Sequence, residues 1–96
     1  MKKAEKYFSD LEEFLNSPLQ TLTSIHIDLT ENDLGDEGIS KLSEGLLQCA
    51  NLQVLLAALR DNSISDEAML TLSSSLAQCK NLNYLVLQLE CFIFFY

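Results

Sequence analysis

The chain has 96 residues, 48% of them hydrophobic, which is one domain's worth of sequence and too apolar for a disordered segment. Fourteen acidic residues against six basic ones leave a formal charge of −8, a balance that repels phosphate backbones and anionic lipid and argues against nucleic acid and membrane surfaces as partners. No signal-peptide run follows the opening MKKAEKYF, acidic residues between Glu5 and Glu13 do not suit a transit peptide, and the tail CFIFFY is far short of the roughly 20 residues that span a bilayer. A soluble, cytoplasmic protein is expected.

Residues 1–21 come first in the chain. Phe8, Leu11 and Leu15 have the spacing of one helix face, and Pro18 follows as a stop. The segment predicts a helical half-repeat or cap.

From residue 22 the chain repeats itself. Residues 22–51 lie over 52–81 without a gap, and eleven of thirty positions are identical. Leu22, Leu29, Asn32, Asp36, Glu37, Leu42, Ser43, Leu46, Gln48, Cys49 and Asn51 recur thirty residues on, ending at Cys79 and Asn81. Such a period signals stacked units. Within each unit the apolar pattern changes. Ile25, Ile27 and Leu29 alternate, as do Leu55, Ala57 and Leu59, which predicts a strand with one buried face. Ile39, Leu42, Leu46 and Cys49, and then Met69, Leu72, Leu76 and Cys79, follow helical spacing. Ser65 suits a helix N-cap, with Asp66 and Glu67 next to the positive end of the dipole. Asn32 and Asn62 stand where the chain leaves each strand, and a column of amides there would satisfy backbone groups of neighbouring turns. Residues 82–96 begin a third unit with Leu85, Leu87 and Leu89 in register and then leave the pattern.

These residues resemble a leucine-rich repeat of the ribonuclease-inhibitor-like class. Ile27, Leu29, Asn32 and Leu34, then Ala57, Leu59, Asn62 and Ile64, match its Leu-x-Leu-x-x-Asn-x-Leu segment, followed by a turn and an amphipathic helix. The strand pattern and the Cys-x-Asn-Leu junctions are similar to long leucine-rich repeat arrays of ciliates. The resemblance departs at Phe92, where another asparagine is due, and at Ala57. It implies an α/β fold: a short leucine-rich-repeat solenoid with a parallel three-stranded sheet on one face and helices on the other, either complete or a piece of a longer array.

Ser24, His26 and Asp28 have the residue types of a hydrolytic triad. On a strand they stand in a row at ~6.6 Å intervals, which is too far for a nucleophile and its base. They are expected instead on the open sheet face, with no catalytic residue assigned; a hydrolase centred on His26 is the remote alternative. Cys49, Cys79 and Cys91 lack the paired spacing of a zinc site and read as buried thiols. The acidic groups around Asp36 and Asp66 lack the order of a calcium loop. No metal or cofactor is expected.

The function expected is a protein–protein interaction module that binds through the exposed strand face. Ser24, His26, Asp28, Val54, Leu56, Arg60, Tyr84, Val86 and Gln88 are its candidate residues, with Tyr84, Leu56, Val86 and Arg60 as anchors. The resemblance also allows a regulator of another enzyme, as an inhibitor of a basic one or a GTPase activator. At the C-terminal end, LVLQLECFIFF alternates, carries little charge and has no proline or glycine. Either this tail folds back over the last strand or another chain covers that edge, which predicts self-association.

Overall fold

The computed structural model describes residues 5–89 and 92–95, the last four by backbone alone. The chain order is β1 (Glu5–Phe8), α1 (Leu11–Leu15), a single 3-10 turn (Leu19–Thr21), β2 (Ser24–Asp28), α2 (Gly35–Leu47), β3 (Val54–Ala58), α3 (Asp66–Ala77), β4 (Tyr84–Leu89) and β5 (Phe92–Phe95). The strands form one sheet in the order β1-β2-β3-β4-β5. The first four are parallel, and β5 returns antiparallel to β4. The fold is therefore α/β, with helices joining parallel strands, and none of the described helices is long and apolar enough to cross a membrane.

The thirty-residue offset of the sequence is the register of the sheet. Ser24 lies opposite Val54 and Val54 opposite Tyr84, and the match continues to Asp28, Ala58 and Gln88. Alternation then sends Ile25, Ile27 and Leu29, Leu55, Ala57 and Leu59, and Leu85, Leu87 and Leu89 to the helix side, where all are buried. Ile39, Leu42 and Leu46 of α2 and Leu72 and Leu76 of α3 meet them in one continuous core. Burying each such leucine or isoleucine stabilises the fold by about 1.5–3 kcal/mol.

One expectation requires correction, and one pair of alternatives is narrowed. The parallel sheet has four strands where three were predicted, because Glu5–Phe8 is a strand and only Leu11–Leu15 is helical. Phe8 points inward from β1 and meets Phe14 of α1 edge-on at 5.4 Å, so its spacing to Leu11 is a strand-to-helix contact. Asp10 separates the two elements as N-cap, its carboxylate accepting from the Glu13 N–H at 3.2 Å. Of the two alternatives for the outer edge of β4, its own tail or another chain, the tail is the one present: β5 pairs it from Val86 to Leu89. The tail folds back.

Ser65 caps α3 as expected, its hydroxyl accepting from the Ala68 N–H at 3.2 Å. The matching position of α2 is Gly35, in the left-handed region at φ +62°, and α2 has no side-chain cap. The Gly35 N–H donates instead to the Asn62 carbonyl of the next unit at 3.0 Å. Gly45 serves a different end: a Cβ there would stand 2.8 Å from both Leu15 Cδ2 and Phe14 Cε2, so its absence brings α1 against α2.

Candidate binding surface

Side chains opposite the core form the open face of the sheet. Register places Tyr7, His26, Leu56 and Val86 in one cross-strand row, with Val54 and Tyr84 adjacent on one side and Asp28, Ala58 and Gln88 on the other. Tyr7 is 59% exposed and Tyr84 49%, His26 and Arg60 are exposed, and Val54, Leu56, Ala58, Val86 and Gln88 are half-buried. Eight of the nine candidate residues are thus on an accessible face. Ser24 is not: it is 4% exposed, a small side chain between the larger in-register neighbours Glu5 and Val54. The sequence reading missed Tyr7, whose strand was taken for helix. Its ring meets His26 edge-to-face at 5.0 Å and 87°.

The Ser24, His26 and Asp28 row does not converge. Asp28 accepts from the Thr30 N–H at 3.1 Å, and its contacts with the Thr30 side chain and backbone hold its carboxyl below the usual range, assisted by His26. His26 packs on Tyr7, and Ser24 is buried. Among the described residues no group of three or more His, Cys, Asp or Glu side chains is placed to hold a metal ion.

What makes this face stiff lies at its two ends. Asn62, 1% exposed, donates from Nδ2 to the carbonyls of Leu29 (2.7 Å), Arg60 (3.1 Å) and Leu59 (3.2 Å). Its Oδ1 accepts from the N–H groups of Asn32 and Leu34, both at 3.0 Å. One side chain thereby fastens its own turn to the preceding one. Asn32 is exposed, and among the described residues its amide donates only to Thr30 of its own turn, at 3.1 Å. A second column joins the opposite strand ends: Asn51 Nδ2 donates to the Gln20 carbonyl at 2.7 Å and Asn81 Nδ2 to the Ala50 carbonyl at 3.0 Å. Its recurrence at thirty residues was the signal that could have found it. On the helix side, Asp36 accepts from the Ser65 N–H (3.0 Å) and hydroxyl (2.5 Å), which hold its carboxyl below the usual range.

The turns carrying these bonds are tightly wound. Glu31, Asp33, Asp61 and Ser63 all have φ between 54° and 59°, a conformation that side chains other than glycine adopt at some cost. The positions recur between units, so the same loop shape is built twice. Both described cysteines are free. Cys49 is buried, and burial pushes its thiol up to about 12. Cys79 is only half-buried, contrary to the expectation of a buried thiol, although burial still raises it; Cys91 lies outside the described residues. Comparison with protein-family models, curated proteins and solved structures found no match.

Proposed function

We propose that the chain is a short leucine-rich-repeat solenoid that works as a protein–protein interaction module, binding its partner across the open face of the parallel sheet without chemistry of its own. The row Tyr7, His26, Leu56 and Val86, with Tyr84 beside it, carries this reading. Aromatic and aliphatic groups stand at the centre of a face whose backbone is fixed by the sheet and the asparagine columns. Such preorganised anchors lose little entropy on binding. Asp28, Glu31, Asp33 and Asp61 lie towards the C-terminal ends of the strands, and with the net charge of −8 they favour a basic partner. The same charge supports the narrower reading of a regulator that binds a basic enzyme. A cytoplasmic setting suits the free thiols.

Photo-crosslinking tests the proposal directly. A photoreactive residue at Leu56 or Val86 should capture one discrete partner from an extract of the source cells, and the same residue at Glu44 on the exposed side of α2 should not. Binding of that purified partner should then weaken at least about tenfold for Leu56→Asp or Tyr84→Ala, as at an interface anchor. Salt should slow association if the partner is basic. Capture at Glu44 in preference to Leu56, or undiminished binding by both variants, would remove the sheet face as the site.

A further inference from the structure

The internal repeat makes α2 a guide to what α3 lacks. With about 100° of rotation per residue, Gly38, Gly45 and Cys49 stand on one flank of α2 and Asp36, Ser43 and Leu47 on the other. The first flank meets α1, through Gly45 against Phe14 and Leu15. The second receives α3, through Asp36 on Ser65. From the α3 side, Cys79 Sγ reaches the Leu46 carbonyl at 3.6 Å. The same rotation on α3 turns Ala68, Ser75 and Cys79 towards α2 and leaves Asp66, Ser73 and Ala77 on the far flank.

Among the described residues no helix covers that far flank. Ile39 and Ser43 are buried, whereas their counterparts Met69 and Ser73 are half-buried and exposed. Leu70, at the flank's rim, is 71% exposed. Asp66 is exposed like Asp36, but among the described residues no serine N-cap bonds to it. Among the described residues the sheet layer is carried one strand further by β5 while no helix follows α3, which leaves a step one helix wide.

We propose that this step is a docking surface for an amphipathic helix of a partner protein, lying parallel to α3 and beginning with a serine or threonine N-cap. Asp66 would face the positive end of that helix and accept from its cap, as Asp36 does from Ser65. The pairing on α2 specifies the rest. The incoming helix needs small residues three and ten positions after its cap, where α3 has Ala68 and Ser75. It needs apolar residues at four, seven and eleven, where α3 has Met69, Leu72 and Leu76. A second copy of the chain has no such helix to offer: α1 has five residues, α2 lacks a side-chain cap, and Ser65 of α3 is already engaged.

A peptide spanning residues 64–81, with Cys79→Ala to prevent oxidation, is the natural probe, because it is the sequence that occupies the equivalent flank of α2. Titrated against the full-length chain by fluorescence anisotropy, it should bind saturably by about millimolar concentration. Asp66→Ala in the chain should weaken binding about fivefold, and Ser73→Arg should abolish it. Both positions are exposed, and circular dichroism should show each variant folded. Ser65→Ala in the peptide should cost the same factor against the wild-type chain and nothing more against Asp66→Ala, since the two groups form one contact. Lack of saturation, or equal affinity for Ser73→Arg, would overturn the proposal. So would a dimer of the chain that Ser73→Arg dissociates, because the occupant would then be a second copy.

Discussion

Asn32 and Asn62 are the same residue at the same place in two copies of one motif, yet they do different work. Asn62 is buried and serves two turns, through Leu29 behind it and Arg60 beside it. Asn32 is exposed and holds only its own loop. Removing the buried amide strands the N–H groups of Asn32 and Leu34 and the Leu29 carbonyl, at about 1–3 kcal/mol for each group left without a partner. Asn62→Ala should therefore lower unfolding free energy by about 3 kcal/mol in a denaturant titration, with both Asn32→Ala and Ser63→Ala below about 1 kcal/mol. Equal losses at Asn62 and Asn32 would show that the column carries no load. The sequence marked both asparagines alike, because what separates them is whether a preceding turn of matching length lies within reach.

At the scale of the element, legibility followed length and repetition. Helices α2 and α3 span 13 and 12 residues with their apolar faces in the same places, so spacing alone located them. Strand β1 has four residues and carries a single buried side chain, Phe8, which fits either period when the partner strand is unknown. Ser24 was misplaced for a related reason: alternation gives the face but not how far neighbours overhang it. The helix ends offer a test by pH. Cys49, buried at the end of α2, has a thiol pushed up to about 12 from an unfolded value near 9.0, so above that value the unfolded chain gives up its proton more readily than the native one. Stability contributed by the neutral thiol is complete below about pH 9 and falls as pH rises towards 12. Cys79 acts with the same sign. Chemical denaturation of the wild type should lose stability across that window faster than Cys49→Ala does. Parallel slopes would mean that the thiolate is solvated in the native state.

For the molecule as a whole, the decisive feature is the change of direction at β5. Three parallel pairings carry the chain steadily sideways, and a fourth extends the sheet by one more strand that runs the opposite way. The composition of the tail showed a segment made for strand pairing, but composition is silent on which edge it meets, and the edge nearest in sequence won. Deleting residues 92–96 should therefore bare the backbone groups of Val86 to Leu89 and increase concentration-dependent association, read by sedimentation velocity. A fall in association on deletion would instead make the tail itself the sticky element.

The side chains that donate between turns share a polarity, opposite to that of the Asn32, Leu34 and Gly35 N–H groups, which donate forward to Asn62. Asn51 donates back to Gln20, Asn62 back to Leu29, Asn81 back to Ala50, and Ser65 back to Asp36. In every pair the donor is about thirty residues younger on the ribosome than the acceptor it seeks. A nascent chain thus emerges with its receptors first and its hooks later, and each hook finds its eye already outside the exit tunnel.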